Sequence, residues 1–159
     1  MALTKGTNSY VTQAEADAYF EDRLDVAAWT SATDALKEQA LITASGYFET
    51  FRWVGTAVSD TQDLVFPRLG EYFDPRLGYR TNLDSTIVPP RIINATCELA
   101  YHFLNNDGLL DNTGTVTRLQ ISSIQLDIKT EPATIPLVVR NLIRPLLFNG
   151  GRNVWWRAN

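Results

Sequence analysis

Apolar residues recur at three- and four-residue steps in four stretches, and each reads as a helix with one buried face. The first opens at Thr12-Gln13-Ala14-Glu15, a capping-box pattern, and runs to about Arg23. Ala16, Tyr19, Phe20 and Leu24 form its stripe. Ser31 or Thr33 caps the second, which carries Leu36, Ala40, Leu41, Ala44, Tyr47, Phe48 and Phe51. Gly46 lies inside it at a cost of about 1 kcal/mol against Ala, which predicts a neighbouring helix packed close to it. The third starts at Pro90, where a missing amide costs nothing, and presents Ile92, Ile93, Thr96, Leu99, Ala100, Phe103 and Leu104. It should stop near Asn105–Gly108. Pro136 starts the fourth, with Leu137, Val138, Leu142 and Leu146 apolar and Pro145 set to kink or shorten it.

The segments between these helices differ in kind. Residues 1–11 read as extended, and residues 25–30 as a connection carrying Trp29. Residues 55–89 are rich in Gly and Pro and read as irregular. Leu64, Val65, Phe66, Leu69, Tyr72, Phe73, Leu77 and Tyr79 make them too apolar for a free linker. After Gly114 the period falls to two: Leu119 and Ile121, then Ile124, Leu126 and Ile128, alternate with polar residues. Ser122-Ser123 breaks the phase, as a hairpin turn or as a bulge in one strand. The expected fold is mainly α, a four-helix core with a small β-hairpin at about 116–129 and extended termini. One helical domain covers 1–150, and an arm follows at 151–159.

The 159 residues and 45% hydrophobic content describe one globular domain with a real core. A single cysteine, Cys97, excludes an internal disulfide and falls on an apolar helical face, where burial is expected. The single histidine, His102, is expected at the edge of the core rather than in chemistry. No apolar run reaches membrane length, and the start is not a signal peptide, so a soluble protein made in a cytoplasm is expected, with no membrane partner.

Charge is uneven. Residues 1–84 carry 13 acids and 7 bases, a balance of −6; residues 85–159 carry 5 acids and 7 bases, +2. Such a dipolar chain suits head-to-side contact with copies of itself or with a charged partner. Chance segregation on a solvated surface is the plainer account. Glu21, Asp22 and Asp25 sit at the disfavoured end of the first helix, which points to an outside partner or to plain solvation.

Catalytic signatures are missing from the sequence. There is no glycine-rich phosphate loop, HExxH, Cys-x-x-Cys or GxSxG, and no nucleophile stands beside a base. Asp60-Thr61-Gln62-Asp63 is too short for a calcium loop. The expectation is a protein that is not an enzyme and needs no cofactor or metal. The end of the chain is the more suggestive feature. From Pro132 onward there is no Asp or Glu, and the sequence finishes Gly150-Gly151-Arg152-Asn153-Val154-Trp155-Trp156-Arg157-Ala158-Asn159. Arg beside Trp suits stacking on bases, and the same two residue types are enriched at protein interface hot spots.

Several segments resemble small phage and prophage proteins known as DnaT-like single-stranded-DNA-binding proteins. They are Asn8-Ser9-Tyr10-Val11-Thr12, Ala14-Glu15-Ala16-Asp17-Ala18-Tyr19-Phe20, Ala28-Trp29 and the helix Lys37–Ala44. Gln62-Asp63-Leu64-Val65-Phe66-Pro67-Arg68, Val88-Pro89-Pro90-Arg91-Ile92 and Ala95–Ala100 continue the likeness, which spans most of residues 8–148. Glu71–Asp84 and the Trp-Trp end depart from the pattern. These proteins look like the head-tail connectors, or adaptors, of tailed bacteriophages. The resemblance therefore implies a structural virion protein made in the host cytoplasm. It would form a ring of twelve copies between the portal protein and the tail tube or nozzle, with tail fibres nearby and DNA passing through unbound. In that role Arg152, Val154, Trp155, Trp156 and Arg157 would dock on the portal. Leu119, Ile121, Ile124, Leu126, Tyr72 and Phe73 would meet a ring neighbour or the tail. The alternative is a single-stranded-DNA-binding replication accessory protein.

Overall fold

The two longest apolar stripes become the two central helices of the computed structural model, which describes residues 2–105, 119–121, 124–126 and 135–148. In chain order the elements are α1 (Gln13–Glu21), α2 (Ala27–Ser31), α3 (Asp34–Phe48), β1 (Thr56–Ala57), β2 (Arg68–Leu69), β3 (Glu71–Asp74) and β4 (Tyr79–Asn82). There follow α4 (Pro90–Leu104), β5 (Leu119–Ile121), β6 (Ile124–Leu126), α5 (Leu137–Ile143) and a 3-10 turn, Arg144–Leu146.

Helix α3 packs on α4 through Ala40, Leu41, Ala44 and Phe48 against Ile92, Ala95, Leu99 and Ala100, all buried. The alanines let the helices approach closely, and each large side chain removed from water contributes about 1.5–3 kcal/mol. Helix α5 covers another side of α4 with Val139 and Ile143, and Leu146 of the following turn closes the layer. Tyr10 and Val11, from the segment before α1, are fully buried against the same cluster. The Tyr10 amide donates to Ser45 Oγ at 3.1 Å and its hydroxyl to Glu49 at 2.6 Å, tying the N-terminal segment to α3.

The helix signals hold where caps are written into the chain. Thr12 and Glu15 form the full capping box, Thr33 caps α3, and Pro90 is the first residue of α4. Pro145 falls in the 3-10 turn, where α5 has already ended. Cys97 is buried, and that burial pushes its thiol up to about 12.

The four-helix core does not hold. Five α-helices and three two-stranded antiparallel sheets occupy the described residues, so the fold is mixed α and β. The connection expected over residues 25–30 gives way to a helix: Ala27–Ser31 form α2, and Trp29 on it is buried. Residues 55–89, read as irregular, supply two of the three sheets, β1–β2 and β3–β4. The strands are only two or four residues long, too short for a period of two to stand out. The third sheet, β5–β6, pairs Leu119 with Leu126 and Ile121 with Ile124, which selects the hairpin over the bulge.

Two smaller expectations also fail. Leu24 lies beyond the end of α1 and is 91% exposed, so it belongs to no apolar stripe. Gly46 is exposed, and a methyl group built on it would meet nothing within 4 Å, so no close helix explains it. The arm at 151–159 lies outside the described residues.

Candidate nucleic-acid interface

The ribbon β3–β4 rests on a buried carboxylate. Side chains alternate across β3, so Tyr72 and Asp74 turn inward while Phe73 turns outward. Asp74 is 1% exposed. Its Oδ1 accepts from the Arg76 amide at 2.9 Å, and its Oδ2 from the Tyr72 hydroxyl and the Arg76 guanidinium, each at 3.1 Å. Arg91, at the start of α4, approaches Oδ1 to 3.6 Å. The hydrogen bonds from Arg76, side chain then backbone, hold the Asp74 carboxyl down at about 2. Asp74 also closes the turn, its carbonyl accepting from Leu77 at 3.1 Å and Gly78 at 2.8 Å. The outward face of the ribbon is thereby fixed in position.

That face is aromatic and cationic. Phe73 pairs across the strands with Arg80 and shares its face, whereas Tyr79, the partner of Asp74, lies on the other face. Phe73 is 53% exposed, Tyr79 59% and the Arg80 side chain 72%. A second segment faces the ribbon. Trp53 and Leu147 form an antiparallel bridge, flanked by Val54 N–H to Leu146 O and Phe148 N–H to Arg52 O, both 2.9 Å. This sets Phe148 at the surface, 48% exposed, with the Arg52 guanidinium 4.9 Å above its ring. Between ribbon and C-terminal segment run two adjoining open grooves that share Phe73 and Pro145. One, of about 430 Å³, also meets Pro75, Asn141 and Arg144. The other, of about 350 Å³, also meets Gly55, Glu71, Arg80 and Phe148.

Two glycines make this arrangement possible. Gly55 has φ 71° and Gly70 φ 147°, and the two backbones touch. A methyl group on Gly70 would stand 2.7 Å from the Gly55 Cα. Arg68 braces the crossing, donating from Nε to Val54 O at 2.9 Å and from its terminal nitrogen to Gly55 O at 2.6 Å.

Of the residues singled out in the sequence, Tyr72 and Phe73 lie on this ribbon, but they face opposite ways. Phe73 borders both grooves, whereas Tyr72 supports Asp74 and borders only the second. Leu119, Ile121, Ile124 and Leu126 form the β5–β6 hairpin. Arg152, Val154, Trp155, Trp156 and Arg157 lie outside the described residues. Sequence reasoning missed Arg52, Arg80, Arg144 and Phe148. Their available signal was the alternation of aromatic and arginine residues in Tyr72–Arg80.

Among the described residues no group of His, Cys, Asp or Glu is placed to hold a metal. His102 lies half-buried at the α4 surface, its ring 5.8 Å from that of Tyr101. Among the same residues no helix is long and apolar enough to cross a membrane. No curated protein and no solved structure shows a match to the chain. A family model does, over residues 2–158, and its description is "Putative DnaT-like ssDNA binding protein"; the chain belongs to that family.

Proposed function

We propose that the protein binds single-stranded DNA along the groove between the β3–β4 ribbon and the segment that follows α5. The observation that carries this reading is the pair of exposed rings, Phe73 and Phe148, interleaved with Arg52, Arg80 and Arg144 along the groove. Single-strand binders combine aromatic rings, on which bases stack, with cations that follow the backbone. The family description points the same way. In sequence, Trp155 and Trp156 between Arg152 and Arg157 add the same residue types shortly after Phe148. The net charge of −4 restricts the reading to a local patch, since most of the surface repels phosphate.

Fluorescence anisotropy with a labelled oligothymidylate tests this. Binding should weaken as salt rises. Phe148→Ala should weaken it by roughly tenfold, since one stacked base is worth about 1–3 kcal/mol. Absence of binding at low salt, or a Phe148→Ala protein that binds like the parent, refutes the proposal.

A second reading is the structural adaptor that the sequence resemblance implies, a non-enzymatic ring subunit between portal and tail in a virion. The negative charge favours it, because a DNA conduit benefits from walls to which DNA does not adhere. So do the exposed apolar side chains Leu24, Phe73 and Leu137, which neighbouring subunits would cover. In this reading residues 151–159 dock on the portal. Mixing the protein with portal and imaging the particles tests it. A ring should attach, and deletion of 151–159 should abolish attachment; free portal alone refutes the adaptor role.

A further inference from the structure

A single leucine stands out at the turn that follows α1. Helix α1 ends at Glu21, and the chain turns at Asp25, whose φ is 58°. The Tyr101 hydroxyl donates to Asp25 O at 2.8 Å and pins the turn to α4. Arg23 points inward and pairs with the buried Glu98, which also accepts from the Tyr19 hydroxyl at 2.6 Å. Held at both sides, Leu24 projects into solvent at 91% exposure. Around it are Glu21, Asp22 and Asp25, all exposed.

The groove offers the complement. Its floor is apolar, with Phe73 and Pro145; Arg80 and Arg144 stand exposed at its rim, with Glu71, 4.0 Å from Arg80 Nε, the one carboxylate among the described lining residues. We propose that the Leu24 loop of one copy docks in this groove of a second copy, Leu24 on Phe73 and Pro145, the three carboxylates beside the two arginines. The occupant is chosen by charge: the loop is the acidic apolar projection that a cationic apolar groove accepts. The loop does not reach its own groove. It is fastened at Tyr101, whereas the ribbon is fastened at Arg91 through Asp74, ten residues and about 15 Å earlier on the same helix. Two different patches meeting between copies make a head-to-tail contact, which closes into a ring or grows into a filament. DNA in the groove would cover the same Phe73, Arg80 and Arg144, so the two occupants compete and the association test is run without DNA.

Sedimentation velocity on the full chain at low salt tests it, with circular dichroism to check folding. The parent should associate as its concentration rises, and less so in high salt. Leu24→Ser, at a position that contributes nothing to the core, should weaken association at least tenfold. Arg80→Glu should do the same, and Asp22→Arg combined with Arg80→Glu should recover part of the loss. A parent that stays monomeric, a Leu24→Ser protein that associates like the parent, or a double variant no stronger than Arg80→Glu alone overturns the proposal.

Discussion

Replacing Gly55 with alanine should damage the fold far more than the one added carbon suggests. The new methyl would overlap the Leu69 carbonyl oxygen and stand 2.9 Å from its carbon. These are backbone atoms, so no side-chain rotation relieves the overlap. The left-handed φ of 71° adds about 1–2 kcal/mol for any residue with a Cβ. To make room, the Val54–Gly55 segment leading into β1 must move away from β2. That movement strips Arg68 of at least one of its two hydrogen bonds to Val54 and Gly55, at about 1.5–3 kcal/mol for a charged donor. Together these give a loss of about 3–5 kcal/mol, in the upper range for a point change. Gly46→Ala is the internal control. Gly46 lies in an exposed helical position with open space around it, so alanine should stabilise by about 0.5–1 kcal/mol. Urea unfolding followed by tryptophan fluorescence measures both. A Gly55→Ala protein within about 1 kcal/mol of the parent, beside a Gly46→Ala protein that gains stability as expected, would refute the close-approach argument.

Three further outcomes follow from other parts of the structure. Asp74 is held at about 2, below the roughly 3.9 of an unfolded aspartate, so its contribution is complete above about pH 4 and drains away as pH falls toward 2; an Asp74→Asn protein should lose stability at neutral pH and show a flatter acid profile, measured by unfolding at stepped pH. Thr12→Ala removes the side chain that accepts from the Glu15 amide and should cost about 1 kcal/mol in the same urea assay. The Cys97 thiol, buried and pushed up to about 12, should resist a thiol reagent in the folded protein and react promptly in denaturant; fast labelling of folded protein would contradict its burial.

The parts legible in sequence were those where local chemistry and burial agree. Thr12–Glu15, Thr33 and Pro90 mark helix starts by side-chain or ring geometry alone, and α3 and α4 are long enough for their stripes to repeat. The β3–β4 ribbon was hidden because its pattern is inverted. It buries a charged residue, Asp74, and exposes an apolar one, Phe73, so the usual rule assigns the faces backwards. Hydrogen bonds from Tyr72 and Arg76 and the approach of Arg91 from α4 offset that burial. Helix α2 was hidden for another reason. It has no side-chain cap and only five residues, and it exists to place Trp29 against Phe20, ring centres 4.7 Å apart. Phe148 was unreadable as a site residue, because its role comes from the bridge of its neighbour Leu147 to Trp53, far away in sequence.

That bridge between Trp53 and Leu147 also sets the order of events during synthesis. Closing so long a loop carries an entropic cost that local helix contacts do not, so the pairing belongs to the last stage of folding. Until α5 has been made, Val139, Ile143 and Leu146 are missing, and the face of α4 they cover stays open to water. A nascent chain therefore passes through a stage with an uncovered apolar face. Chaperone dependence should be greatest there, just before the groove itself comes into being.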